Sequence, residues 1–456
     1  MMSRQDQATG RAGLAVAAVA LAALWGGPAA ARPLPNPPPG TATATAQALK
    51  ACPAADSDDS DSSDDSGNAA TSDDSGSAPG PDGYIAIPGS STCLKISGYV
   101  YYEFWLLGSD AASLQPGWYS ASRNGISTSV NADLAFSTKT ATELGAISTT
   151  LEMRVNKQGL GGGEIVKVPS GVGNSWQLYT GMVEWGGLTA GYTQSMFDFY
   201  TGSTYASLYE PAWSDTRTNI VAYTYSPGDG NLSFTGSLED SAARNVAIAG
   251  TPVTGSGYAG QQVPDVVGQL AYSDDWGSAQ AAAASHLVNT FLYPDETLGY
   301  AAKVGWAAAG GLTLNLPKLG DGDSVTLQGA YGDGALSYVA VNPRDDHIRI
   351  AGADARIVTA ADGTRSLDLG RAWSVSGGIT HNWSPLWQTN INLSYLDVGN
   401  LGPENDFRNI DVQANQVFFP VENLQFGVEV EYKRIEPAEG SLGNALVALL
   451  HIERDF

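Results

Sequence analysis

The chain has 456 residues, 23 Lys plus Arg against 47 Asp plus Glu, a formal charge of −24 and only two cysteines. This acidic balance excludes a nucleic-acid-binding role, which needs a basic face. Two cysteines exclude a disulfide scaffold and a cysteine-rich metal site.

The N-terminus reads as an export signal. Arg4 and Arg11 precede an apolar run, Leu14 to Gly26, and then "PAAAR", with Ala29 and Ala31 in a small-x-small arrangement. The run is shorter than the roughly 20 residues of a spanning helix, so residues 1–31 are assigned as a signal peptide. Residues 32–83 form a Pro/Thr-rich and then Asp/Ser-rich extension, with eight Asp between positions 56 and 74. Such a tract is expected to stay solvated and unfolded. It lacks the spaced ligands and turn glycine of a calcium loop.

From Tyr84 onward, segments of alternating polarity are separated by turn chemistry. "LKISGYVYYEF" places Leu94, Ile96, Val100, Tyr102 and Phe104 on one side, with Lys95, Ser97, Tyr101 and Glu103 on the other. "AISTTLEMRVN" opposes Ile147, Thr149, Leu151, Met153 and Val155 to Ser148, Thr150, Glu152, Arg154 and Asn156. Similar segments fall near 126–138, 175–186, 188–194, 219–226, 231–239, 265–273, 278–288, 299–314, 324–332, 371–382, 388–397 and 409–419. "LQFGVEVEYK" sets Leu424, Phe426, Val428, Val430 and Tyr432 against Gln425, Glu429, Glu431 and Lys433, and 444–456 follows. About 16 strands are expected. Their connections are alternately short, as "SPGDGN", "DDWG" and "PVEN", and long, as 195–218, 240–264 and 333–370.

Regular short-long alternation is the pattern of an antiparallel transmembrane β-barrel. In lipid every backbone polar group must pair, so only a closed sheet can span. A barrel of this size is too wide for side chains to fill. The apolar set therefore faces lipid, and Glu103, Glu152, Arg154, Asn390, Asn392, Glu429, Glu431 and Lys433 face a lumen. Trp185, Tyr192, Tyr272, Trp276, Trp306, Trp383 and Trp387 suit the aromatic girdles of an outer-membrane barrel. Four histidines without metal-ligand spacing, and no nucleophile or phosphate-loop motif, lead us to expect no enzyme, no metal and no cofactor.

Stretches across most of 84–456 resemble the trimeric porins of alphaproteobacterial outer membranes. They include "YIAIPGSSTCLKISGYV" (84–100), "TATELGAISTTLEMRVN" (140–156), "GGLTAGYTQSMFDFY" (186–200), "NIVAYTYSPGDGNLSFTGSLED" (219–240), "PDVVGQLAYSDDWGSAQ" (264–280), "WSVSGGITHNWSP" (373–385), "FFPVENLQFGVEVEY" (418–432) and "HIERDF". The resemblance implies a 16-stranded, homotrimeric outer-membrane barrel, bedded in lipid and lipopolysaccharide and passing ions and small hydrophilic solutes by diffusion. It implies that Phe456 signals to the barrel-assembly machinery. It also implies an inward-folded constriction loop at 195–218, carrying Asp198, Glu210, Asp215 and Arg217. Carboxylates at a narrow mouth favour cations; Arg154, Lys95 and Lys303 are candidates for the facing wall. Family members carry two cysteines close together; here the Asp/Ser tract separates Cys52 from Cys93, either inside a disulfide loop or between two unpaired thiols. The alternatives are a sugar-specific channel with an aromatic slide, a plugged barrel acting as an adhesin, and a soluble periplasmic β protein.

Overall fold

The computed structural model describes residues 83–109, 126–159, 176–205, 211–228, 230–253, 255–295, 299–340, 352–440 and 442–456. The signal segment, most of the extension, Cys52 and Glu210 lie outside the described residues. The strands in chain order are β1 (Ile85–Ala86), β2 (Thr92–Ser109), β3 (Ile126–Thr142), β4 (Gly145–Gly159), β5 (Gln177–Trp185), β6 (Leu188–Gln194) and β7 (Arg217–Tyr225). They continue with β8 (Leu232–Glu239), β9 (Ile248–Ala249), β10 (Asp265–Asp274), β11 (Gly277–Phe291), β12 (Tyr300–Asn315), β13 (Ser324–Asp333) and β14 (Ala355–Thr359). The rest are β15 (Arg365–Leu369), β16 (Arg371–Ser384), β17 (Trp387–Gly399), β18 (Phe407–Val421), β19 (Leu424–Pro437) and β20 (Gly443–Asp455).

Seventeen strands share one sheet, and all but the two-residue β1 form a ring. The ring skips β9, β14 and β15 through the pairings β8–β10 and β13–β16. It closes where β20 meets β2, with His451 opposite Glu103. Every pairing in the ring is antiparallel, which the even number of strands permits. The result is a closed 16-stranded barrel with no free edge, as a lipid environment demands.

Burial follows the period of two, turned inside out relative to a soluble core. On β17 Leu393 is 56 % exposed, while its neighbour Asn392 is fully buried. The outward side is a continuous apolar skin, and the inward side carries Glu103, Asn390, Gln413, Glu429, Glu431 and Lys433. Two aromatic belts bound the skin. Toward the long loops, Trp306 and Tyr331 lie 5.4 Å apart, and Trp373 and Tyr395 lie 5.1 Å apart. Above that belt sit the surface ion pairs Arg371–Asp333 at 3.0 Å and Arg408–Asp397 at 2.9 Å. At the other rim stand the exposed Trp185, Trp276 and Trp383, with Trp387 stacked on Phe418.

The long connection 333–370 carries a hairpin, β14 with β15, and β9 adds to it in parallel at Ile248–Ala355. Ile248, Val288, Ala355 and Leu367 form its apolar centre.

Phe456 is seated on β2. Its N–H donates to Gly98 O at 2.9 Å and its carbonyl accepts from Gly98 N at 3.1 Å. The ring lies over Gly98, where a Cβ would fall 2.8 Å from Phe456 Cζ and collide with the Asp133 carbonyl. Gly98→Val is therefore expected to unseat the closing strand and cost about 1–3 kcal/mol by overpacking. The check is the temperature at which the folded, fast-migrating gel band is lost, which should fall relative to wild type.

Candidate functional site

The segment after β6, in its described residues 195–205 and 211–216, lies along the inner wall instead of running outward. Seven wall strands offer inward polar side chains to hold it. Glu239 on β8 accepts from Ser195 Oγ at 2.7 Å and Met196 N at 3.0 Å. Gln269 on β10 and Gln280 on β11 donate to the carbonyls of Met196 and Phe197 at 2.8 and 3.1 Å. Gln328 on β13 brackets Tyr200, donating to its carbonyl at 2.8 Å and accepting from its N–H at 3.3 Å. Asn392 on β17 accepts from Tyr200 Oη at 2.7 Å, Gln413 on β18 from Thr204 Oγ1 at 2.6 Å, and Glu429 on β19 from Tyr205 N at 2.8 Å. Eleven residues, Ser195 to Tyr205, thus sweep from β8 to β19, with several of their backbone groups bound by wall side chains.

Glycines make room for the loop's aromatic side chains. An added Cβ would strike the Phe199 ring at Gly311, Tyr200 at Gly378 and Tyr205 at Gly427. At the far end of the sweep the Tyr205 ring stacks on His451 at 3.9 Å and 15°. His451 sits between Glu103 at 3.0 Å and Glu453 at 3.2 Å.

Among the described residues the loop covers the wall from β8 to β20 and leaves β2 to β7 uncovered. There a chain of polar contacts crosses the lumen face. Arg217 Nη1 donates to Thr180 Oγ1 at 3.0 Å, and Thr180 Oγ1 donates to Glu152 Oε2 at 2.9 Å. Arg154 binds Glu152 at 2.8 Å and Asp133 at 2.6 Å. Tyr179 lies between the two guanidinium groups, 3.2 Å from Arg154 and 3.8 Å from Arg217. A β-bulge puts it there: Glu152 pairs with Thr180 but Met153 pairs with Leu178, so Tyr179 is the extra residue. A bulge re-aims side chains, and here Tyr179 and Thr180 both point inward.

The residues singled out from sequence divide into three groups. Glu152, Arg154 and Arg217 stand together on the uncovered wall, and the exposed Asp215 belongs near them. Asp198, Glu103, Glu429, Glu431 and Lys433 face inward but are buried. The loop or neighbouring side chains cover them: Asp198 is in an ion pair with Arg244 at 3.1 Å, and Lys433 lies 3.9 Å from Asp411. Lys95 is half-buried near the short-turn end of β2, apart from the constriction, and Cys93 beside it is buried. Gln194 bridges Asp198 and Asp215, contacting the latter at 2.8 Å. Asp215 reaches water, yet it lies deep among wall atoms and beside Asp198. Both effects push its carboxyl above the ordinary carboxylate value. Sequence reasoning missed Tyr179, Asp133 and Arg244. The inward Gln and Asn residues of β10 to β18 were the available signal for where the loop would lie.

A model of the porin subfamily matches residues 81–446. The chain belongs to the porin subfamily. Porin Omp2b of Brucella suis biovar 1 (strain 1330) is 31% identical over 249 residues, which is 54% of this chain and 61% of that protein. Porin Omp2b of Brucella abortus (strain 2308) is 30% identical over 248 residues with the same shares. The match thus spans 61% of the length of these curated relatives. Among solved structures, the outer membrane channel DcaP of Acinetobacter baumannii has the same fold, with a TM-score of 0.62 at 16% identity over 82% of this chain and 99% of that one. The resemblance to alphaproteobacterial porins drawn from the sequence therefore holds. This porin is an integral β-barrel of the outer membrane.

Proposed function

We propose that this porin is a water-filled channel for passive diffusion of ions and small hydrophilic solutes, weakly selective for cations and working as a homotrimer. The carrying observation is the one-sided course of the constriction loop. Its described residues adhere to the wall from β8 to β20, and the facing wall keeps charged side chains in reach of water, with Arg154 34% exposed. On and beside that wall Glu152, Asp215 and Glu453 stand against Arg154 and Arg217, while the buried Asp133 is paired with Arg154. A surplus of carboxylates in a narrow, low-dielectric passage concentrates cations.

The stacking geometry disfavours a sugar-specific slide. Tyr99 and Tyr101 stack on each other at 5.7 Å, Tyr205 on His451, and Tyr179 is sandwiched between guanidinium groups. Those ring faces are occupied, whereas a slide needs them free for the solute. In the same reading Cys93 pairs with Cys52 and tethers the acidic extension near the short-turn rim. Resistance of both thiols to alkylation before reduction, and their labelling after it, is the test. Phe456 serves as the assembly signal, and lipopolysaccharide surrounds the outer aromatic belt.

Liposome swelling tests the channel itself. Protein-containing vesicles should admit small sugars at rates that fall with solute size. Failure of correctly folded protein to admit any of them would favour a plugged barrel.

A further inference from the structure

The wall amides hold the course of the constriction loop, but its root is held by a residue from outside the wall. Arg244 ends a short 3-10 turn, Ser241–Arg244, in the outer connection 240–264, and its side chain is 0% exposed. Its Nη2 donates to Asp198 Oδ1 at 3.1 Å. Its Nη1 faces Ser214 Oγ at 2.8 Å, Thr216 Oγ1 at 2.9 Å and the Ser337 carbonyl at 3.2 Å. The guanidinium lies 4.1 Å over the Tyr338 ring. Tyr338 in turn meets Phe197 edge-on at 4.8 Å and donates to Asp265 at 2.7 Å. One side chain thus joins both ends of the constriction loop to two outer connections.

Those outer connections are themselves stitched together by a buried carboxylate. Asp354 accepts from Val246 N and Leu336 N at 2.8 Å each, and from Tyr258 Oη at 2.6 Å. Tyr258 Oη also meets His286 Nε2 at 3.0 Å, and His286 Nδ1 meets Asp265 at 2.9 Å. The segment that carries Arg244 and the segment that carries Tyr338 are therefore bound to the same carboxylate.

An apolar contact would hold the loop without desolvating a charge. The guanidinium fork is instead directional: it is satisfied only when Asp198, Ser214 and Thr216 all stand in one arrangement. Its Nε–H finds no acceptor among the described residues, so the burial is not optimised for stability alone. We propose that Arg244 is the positioning residue of this pore: it fixes the root of the constriction loop and couples the outer connections 240–264 and 334–340 to the width of the passage. The coupling to conductance rests on the channel reading; the latch does not.

Arg244→Gln in the full chain tests this, with folding checked by the heat-modifiable gel band. The first readout is amide hydrogen exchange over 195–205, which is independent of conduction. It should accelerate by about 100-fold or more, with β16 to β19 unchanged. The second is single-channel current, which should rise by about half or break into several levels; Arg244→Lys should lie between. Should Arg244→Gln fail to fold, Asp198→Asn removes the same ion pair with little change in shape and is read the same way. Wild-type exchange in a folded variant overturns the latch. Faster exchange with an unchanged current overturns the coupling to pore width. Faster exchange in a protein whose wild type never conducts overturns the channel reading and leaves the latch standing.

Discussion

Asp215→Asn is expected to move the zero-current potential under a salt gradient toward zero, while Glu431→Gln leaves it where it was. Parity along β19 points Glu431 inward and the constriction loop carries Asp215 into the lumen, but only one of the two meets water. Glu431 is fully buried on β19, whereas Asp215 is exposed on the returning arm of the loop. A charge that ions pass closely, in a passage walled by low dielectric, changes their local concentration; a covered and paired charge is nearly silent. We expect about a twofold fall in the cation-to-anion permeability ratio for Asp215→Asn. The sign for Arg217→Gln is opposite, because it removes a cation from the same wall. A pH dependence follows. The Asp215 carboxyl is held above its ordinary value by burial and by the charge of Asp198. Acidification therefore neutralises it before ordinary carboxylates, and cation preference should begin to fall at a pH above their range. Asp215→Asn should lack that early step. Equal effects of Asp215→Asn and Glu431→Gln would contradict this division of the lumen charges.

Gly378→Val is expected to leave a closed barrel with a displaced constriction loop. Gly378 faces inward on β16 beneath Tyr200, where an added Cβ would stand 2.8 Å from Tyr200 Cζ and 2.7 Å from Asn392 Oδ1. The same Asn392 oxygen accepts from Tyr200 Oη, Ser203 N and Ser203 Oγ. Valine would separate these groups and push the loop toward the β2–β7 wall. We expect a current reduced by about half, with a stability cost of about 1–3 kcal/mol, the usual scale of overpacking. Gly268→Ala is the control, since a Cβ there meets nothing within 4 Å. Conductance is measured for both. An unchanged current for Gly378→Val would show that the loop does not rest on the wall as described.

The barrel was legible because its pattern is strict. Along β19 the outward Phe426, Val428, Val430 and Tyr432 alternate with the inward Gln425, Glu429, Glu431 and Lys433 without interruption, and lipid leaves no tolerance for slips. The β5 bulge was not legible. Tyr179 and Thr180 both suit a strand, so nothing local announces that both face inward. Which inward charges meet water was not legible either, because that depends on where segment 195–216 folds. The partner of Asp198 is Arg244, 46 positions away on another connection, and neither residue has a local pattern naming the other. The hairpin in 333–370 lay between these cases. "ARIVT" and "RSLDL" flank a turn-forming stretch and were compatible with a hairpin, whereas the parallel addition of Ile248 and Ala249 is a long-range event.

The proposed channel is an aqueous passage, left open by a loop whose described residues cling to one wall and lined by a surplus of carboxylates on the other. Current through the purified protein in a planar bilayer under a salt gradient tests it most directly. Discrete steps grouped in threes are expected, with a reversal potential of the cation-selective sign. An absence of steps from correctly folded, inserted protein would contradict the open passage, and a potential of the anion-selective sign would contradict the charge assignment.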